Sequence, residues 1–429
     1  MESSLSEKIK SESGSDGCLP SATAHAIKLQ LNSLDKAKNY FWTIIKEKTL
    51  HSFDGESYLN DPRGCYTLSV DCLNARFARL PKSVENLLNL LFDINFAKRT
   101  IEELNVDTTK MCLERFSVKQ IIDAMMVIEE IWHRINRGEA YERFVDLSKS
   151  YYHLIPYKEQ TTIICTYDQV TAEVRNLKGL FAIVQSYHLI RDVINKKMSI
   201  IDRYYRLNTE IIPMARADYE FKLLEEYAKI TNYQPNDDYK LEIDEIFKLS
   251  RNGEDERFER FKCFRNRYLL WHGSFLSNFA SILCHGLKIA PQEVPRLGKK
   301  FGKGIYFADM ISKSTKFCVT GKDNCRTGLI LLCEVAIGDS DECTETIANS
   351  SATYLYELPK NKHSVKRIGK IYPNPDDHCT LSDGVIVPKG QPIVRDNNEL
   401  SLNYNEYVVY KKAQVRLRYL LKIDFIRKK

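Results

Sequence analysis

Two glycine-punctuated clusters hold the residue types best suited to chemistry. His272-Gly273-Ser274 follows the apolar run Leu269-Leu270-Trp271, and Phe301-Gly302-Lys303-Gly304 leads into Ile305-Tyr306-Phe307-Ala308-Asp309 about thirty residues later. Polar side chains beside bare backbone on apolar strands suggest a backbone-lined cleft, because glycine lets the chain approach a ligand closely. Common catalytic signatures are missing: there is no G-x-x-x-x-G-K-[ST], no H-E-x-x-H and no G-x-S-x-G. The Gly302-Lys303-Gly304 turn looks superficially like a phosphate loop, yet it precedes a strand and not a helix. None of the twelve cysteines forms a C-x-x-C pair. They read as reduced structural thiols, and no metal is expected.

The elements that must position these clusters change character along the chain. Residues 1–38 are rich in Ser, Glu, Lys and Gly and read as a flexible tail. In 39–74, Tyr40, Phe41, Ile44 and Ile45 fit a short amphipathic helix, and Tyr66, Leu68 and Val70 alternate as a strand. Residues 75–206 read as successive helices. Pro81 opens one with Val84, Leu87, Leu88 and Leu91 on one face. Ser117 and Gln120 suggest a capping box before the stripe Val118, Ile121, Ile122, Met125, Ile128 and Trp132, and Asp168 is placed as cap of the stripe Val170, Val174, Leu177, Phe181 and Val184. Met125, Met126 and Trp132 are expected to pack in the core.

From 207 to 429 the texture turns towards β. A helix is expected over about 217–230, strands over 241–243, 268–271, 328–336, 384–387, 406–410 and 415–425, and a short helix capped by Ser277 and ended by Gly286. Turn-rich joins between strands argue for a mostly antiparallel sheet. The polar stretch 338–392 reads as loops crossing that sheet. The fold class is therefore α+β, an N-terminal helical bundle followed by a β-rich domain. At 429 residues, 43% hydrophobic and 28% charged, with a net charge of +6, the composition is that of an ordinary soluble chain that permits, without requiring, a polyanionic partner. No apolar run approaches a membrane span and the N-terminus lacks a signal-peptide pattern, so an intracellular protein is expected.

The ordered motifs resemble one family. Leu-Leu-Trp-His272-Gly-Ser274, Gly286-Leu-Lys-Ile-Ala-Pro291, Phe301-Gly-Lys-Gly-Ile-Tyr306-Phe-Ala-Asp309, Ser312-Lys-Ser314, Gly328-Leu-Ile-Leu-Leu, Leu358-Pro-Lys-Asn-Lys-His-Ser-Val365 and Tyr404-Asn-Glu406-Tyr resemble the catalytic domain of DNA-damage-responsive poly(ADP-ribose) polymerases over 207–425. Leu80-Pro-Lys-Ser-Val-Glu-Asn-Leu-Leu and Leu147-Ser-Lys-Ser-Tyr-Tyr-His-Leu-Ile-Pro156 are similar to that family's helical regulatory domain, and 39–74 to the C-terminal half of its WGR domain. The resemblance implies an ADP-ribosyltransferase fold with a split antiparallel sheet. It implies a domain order of tail (1–38), partial WGR-like segment (39–74), helical regulatory domain (75–206) and catalytic domain (207–429).

It also implies NAD as substrate and a His-Tyr-Glu triad at His272, Tyr306 and Glu406. In that reading His272 bonds the adenosine ribose, Tyr306 stacks on nicotinamide, and Gly273 and Ser314 hold the carboxamide. Glu406 accepts from the nicotinamide ribose and stabilises positive charge as the leaving group departs, and Lys303 orients the acceptor. Ser274, Ser281, Lys288 and Phe317 complete the NAD-binding set. Lys288 stands where arginine is usual, Phe317 where tyrosine is usual and Ser281 where glycine is usual. Arg175, Lys178 and Ala182 occupy the helix face over the site, where acids are usual. No Trp-Gly-Arg or zinc finger occurs, so the chain reads either as a fragment or isoform or as differently controlled. The implied partners are acceptor proteins, the chain itself included, and damaged DNA, with no membrane; the implied location is the nucleus. Transfer of single ADP-ribose units, or a non-catalytic DNA-break-binding or scaffold module, stay as alternatives.

Overall fold

A computed structural model describes residues 80–427, apart from 113–114, 160–161, 234–238, 291–301, 319–326, 345–357 and 397–399, together with three short strands nearer the N-terminus. The chain divides into two compact units, Met1–Leu80 and Pro81–Lys429. In the first, β1 (Ile27–Leu29), β2 (Leu59–Asn60) and β3 (Tyr66–Leu68) form an antiparallel sheet in the order β1-β3-β2. The expected tail thus contains a strand, which the apolar alternation of Ile27 and Leu29 permits. The helix expected around Tyr40 lies outside the described residues.

Helices α1 (Lys82–Leu91), α2 (Ile94–Glu103), α3 (Val118–Asn136), α4 (Glu142–Leu154), α5 (Tyr167–Asn195) and α6 (Ile200–Arg206) open the second unit. Val84, Leu87, Leu88 and Leu91 are buried, as their spacing predicts. A core of Ile121, Ile128, Phe144, Tyr151, Val170, Leu177 and Ile183 joins α3, α4 and α5, with Met125 and Trp132 against it and Met126 exposed. The caps depart from expectation. Ser117 accepts from the Gln120 N–H, but the Gln120 amide donates to the Leu154 carbonyl instead of closing a box. On α5 the cap is Thr166, with a complete capping box to Gln169, and Asp168 sits one step inside where it faces the helix dipole.

The sheet-rich part follows: β4 (Thr209–Pro213), α7 (Tyr219–Thr231), β5 (Tyr239–Arg251), α8 (Glu254–Phe258), β6 (Arg267–Gly273), α9 (Phe279–His285), β7 (Ile305–Phe307), α10 (Ile311–Thr315), β8 (Thr327–Ala336) and β9 (Ser340–Thr344). Then come β10 (Ser364–Ile368), β11 (Ile371–Pro373), β12 (Cys379–Thr380), β13 (Ile386–Val387), β14 (Pro392–Val394), β15 (Glu406–Val409) and β16 (Val415–Arg427). The region expected to be loops therefore supplies several strands. Their shortness and polar composition, as in Ser364-Val-Lys-Arg-Ile368, conceal them from hydrophobic pattern.

Two sheets carry the site, a seven-stranded one ordered β12-β13-β6-β8-β16-β5-β4 and a four-stranded one ordered β7-β15-β10-β9. Pairing is mostly antiparallel; β6 with β13 and β9 with β10 are parallel. Strand β8 is buried along nearly its whole length, which explains its unbroken apolar run at the sheet centre. Trp271 and Tyr227 are fully buried in the core over this sheet. The short helix α9 is not capped by Ser277, which lies in a 3-10 turn (Leu276–Asn278) before it, whereas Gly286 does end it at φ 73°.

Candidate active site

The two sheets meet at one reciprocal backbone pair: the Trp271 N–H donates to the Ala308 carbonyl at 2.8 Å and the Ala308 N–H returns to Trp271 at 3.0 Å. That junction sets His272, next on β6, beside β7. His272 Nδ1 lies 2.9 Å from the Tyr306 carbonyl oxygen. A carbonyl can only accept, so Nδ1 carries the proton and Nε2 is left as an acceptor, the arrangement that suits a ligand hydroxyl. Burial holds the His272 pKa below its ordinary value, against the pull of that carbonyl, so the ring is neutral near pH 7.

Tyr306 sits on β7 opposite Val408 of β15, and its hydroxyl donates to the Gly302 carbonyl at 2.8 Å. This bond ties the Gly302-Lys303-Gly304 turn to the hydroxyl end of the side chain; Lys303 is half-buried within it. Gly304 packs where any Cβ would overlap the Val408 side chain. Beyond β7, buried Asp309 accepts from the Asn405 amide at 2.8 Å and the Tyr407 hydroxyl at 3.0 Å. Asn405 and Tyr407 flank Glu406, so the far end of the Tyr306 strand fixes the glutamate strand on both sides of its functional residue.

Glu406 is held tightly. Lys313 Nζ lies 2.7 Å from Oε1 and Arg367 Nη1 donates to Oε2 at 2.8 Å. Burial alone would raise the Glu406 pKa, and the Lys313 and Arg367 charges more than offset it, leaving the carboxyl below its usual range. The charge of Glu406 also acts on Lys178 of α5. Burial lowers the Lys178 pKa, and the charge of Glu406 partly restores it. Helix α5 packs against α9 and the Leu276–Asn278 turn, with Gly179 so close that a Cβ would touch the Phe275 ring at 3.3 Å. Of the three positions on this helix face, Arg175 is exposed, Lys178 half-buried and Ala182 buried.

Gly273 and Ser314 come together at the end of β6. A Cβ on Gly273 would collide with the Ser314 carbonyl oxygen, so only glycine permits the approach. Ser314 is buried in α10, Ser274 Oγ accepts from the Asn278 amide at 3.0 Å, and Phe317, 52% exposed, stands just beyond α10. The structure therefore gathers His272, Gly273, Ser274, Tyr306, Ser314 and Glu406. Ser281 and Lys288 belong to a neighbouring cluster. Ser281 is buried on α9 beside His285, and Lys288 is exposed, its pKa lowered by burial and by the charges of Lys412 and Arg251. Sequence reasoning missed Arg367 entirely; it lies in the stretch read as loops. Among the described residues no group of three or more His, Cys, Asp or Glu could hold a metal ion, and no helix is long and apolar enough to cross a membrane.

Comparison with known proteins agrees with this geometry. Residues 218–425 match the poly(ADP-ribose) polymerase catalytic domain, and 78–205 match the poly(ADP-ribose) polymerase regulatory domain. A poly(ADP-ribose) polymerase of Sarcophaga peregrina is 39% identical over 416 residues, covering 92% of this chain and 41% of that protein. Poly(ADP-ribose) polymerase 1 of Gallus gallus is 37% identical over 413 residues, covering 92% of this chain and 40% of its own length. Poly(ADP-ribose) polymerase 2 of Arabidopsis thaliana is 32% identical over 435 residues, covering 97% of this chain and 67% of that protein. The chain thus spans about two fifths of the first two relatives.

Proposed function

The chain belongs to the poly(ADP-ribose) polymerase family, and from that premise we propose that it cleaves NAD, releases nicotinamide and transfers ADP-ribose to protein acceptors and to the growing ADP-ribose chain. The observation that carries the reading is the convergence of His272, Tyr306 and Glu406 from three strands of two sheets joined at Trp271 and Ala308. A neutral imidazole with a free Nε2 lone pair suits the adenosine ribose hydroxyl. The Tyr306 ring, anchored through its own hydroxyl, offers a face for nicotinamide. The meeting of Gly273 with Ser314 leaves backbone groups and a hydroxyl for the carboxamide.

Glu406 supplies the charge. Breaking the bond between ribose and nicotinamide builds positive charge on the sugar, and a fixed carboxylate stabilises it. The same group accepts the proton of an acceptor hydroxyl as the chain grows. Lys303, within the turn over Tyr306, is assigned to the acceptor end, and Lys288, Ser281 and Phe317 to the rim of the NAD groove. The acceptors include the chain itself. A nuclear role in the DNA-damage response belongs to the same proposal.

Purified protein incubated with labelled NAD tests it. Released nicotinamide and a ladder of automodified product are the expected result, and comparison with and without nicked DNA reads the damage response. Absence of nicotinamide release would sink the proposal, while release with single-unit product would replace polymerisation by mono-transfer.

A further inference from the structure

Strand register places Arg367 of β10 directly opposite Glu406 of β15 in an antiparallel ladder. Its side chain is almost fully buried, and Nη1 meets Oε2 at 2.8 Å while Lys313 takes Oε1 from α10. We propose that Arg367 is a positioning residue for Glu406, which fixes the carboxylate plane from across the sheet and keeps the group anionic inside a desolvated pocket. The inference rests on the NAD-cleaving reading above.

The two cations differ in what they can fix. Lys313 is a point charge on a five-residue helix, with a flexible stem. Arg367 presents a rigid planar fork from the middle of a strand, so it restrains direction as well as distance. A carboxylate has about four lone-pair positions, so the two cations leave room for a ribose hydroxyl to donate. Among the described residues, Arg367 from β10 and Lys313 from α10 bind Glu406, Lys178 of α5 feels its charge, and His272 of β6 is neutral. The Lys313 and Arg367 charges depress the basicity of the carboxylate. Arg367 therefore keeps Glu406 ionised at lower pH, and in exchange the carboxylate is a weaker proton acceptor.

A merely structural arginine would staple β10 to β15 and affect stability alone. The pH profile of turnover separates the roles, because the position of its acid limb does not depend on how much of the protein is folded. Nicotinamide release by the full chain is measured against pH for wild type, Arg367→Met and Arg367→Lys. For Arg367→Met the acid limb is expected to move to higher pH by about half a unit or more, since removing the cation raises the Glu406 pKa. kcat near neutral pH is expected to fall about tenfold, with KM for NAD within about twofold. Arg367→Lys keeps the charge and is expected to keep the limb near wild type while recovering part of kcat. An Arg367→Met limb superimposed on wild type with equal losses of plateau in both variants, or a loss carried wholly by KM, overturns the proposal. Failure of the wild-type chain to release nicotinamide overturns the parent reading, and this inference with it.

Discussion

Two buried carboxylates, one in each main sheet, use the same device to different ends. Glu334 of β8 lies opposite Arg416 of β16, and Glu406 of β15 lies opposite Arg367 of β10, each an arginine-glutamate pair across an antiparallel ladder. Around Glu334 the charges close on themselves. Arg267 binds Oε1 at 2.5 Å, while Arg416 and Arg418 bind Oε2 at 2.6 and 2.9 Å. Those arginines are answered in turn by Asp255 and Asp383. Three cations meet three acids, and Glu334 is fully buried. Around Glu406, Lys313 and Arg367 bind the two carboxylate oxygens, and its side chain keeps 13% exposure. A balanced and sealed network has nothing left to offer a ligand. A paired carboxylate that keeps part of its surface open stays ready for an incoming charge, so the residual exposure and not the pairing marks the functional site.

Removing each carboxylate in turn should break the comparison most sharply. Glu334→Gln strands three guanidiniums around a neutral amide and should cost about 3–5 kcal/mol of stability, read as a drop in denaturation midpoint. Glu406→Gln should cost less than half as much, because its side chain is less completely buried and two cations, not three, bind it. It should instead lower nicotinamide release and chain growth by about 10²- to 10³-fold with NAD binding retained. Equal stability losses from both would show that Glu406 is another strut. Equal losses of binding and turnover in Glu406→Gln would remove the role assigned to it. Gly273→Ala should fall next, since the added methyl displaces Ser314. It should raise KM for NAD by about tenfold or more, with little change in the Glu334 network.

Acid provides a gentler separation. The folded pKa of His272 is depressed, so between that value and about 6.5 the unfolded chain binds a proton that the folded chain refuses. Stability must therefore fall as pH drops through that window, by at most about 1.4 kcal/mol per unit for this one group. Glu406, also depressed, contributes stability above its unfolded value that is lost only at lower pH, as the folded value is passed. His272→Gln should reduce the stability slope below about pH 6.5, leaving the smaller shares of His285 and His378 and the more acidic loss in place. An unchanged slope in denaturation midpoints would show that the imidazole is not buried as a neutral base.

How much of this was legible in sequence depends on the range of the interaction. The α5 stripe and the β8 run follow from local period and apolar continuity, and Gly286 follows from the needs of a helix end. His272, Tyr306 and Glu406 were placed by motif, and Gly273 by its lack of a side chain. The cap of α5 was missed by two residues because Thr166 and Asp168 offer equivalent oxygens, and the choice depends on which residue leaves helical geometry. Arg367 was hidden for a different reason. Its role exists only through register with a strand some forty residues away, and Ser364-Val-Lys-Arg-Ile368 has no apolar face strong enough to announce a strand.

The smallest effect is the most discriminating for the comparison. Lys178 of α5 feels the charge of Glu406, yet among the described residues it makes no hydrogen bond, and burial depresses its pKa. Its positive form is thus held at a cost that the distant carboxylate only partly offsets. Lys178→Met removes that cost while keeping the packing stem, so stability should stay level or rise by up to about 1 kcal/mol, read as denaturation midpoint. The carboxylate loses its weakest cation, so the acid limb of turnover should move up, by less than in Arg367→Met, with kcat changed by less than about threefold. Removing an arginine from the Glu334 network has no such compensation, because there every cation is bonded to a buried oxygen. A stability loss in Lys178→Met comparable to that of Arg416→Met would mean that the Glu406 pocket is as closed as the other, and that its residual exposure is not what distinguishes the site.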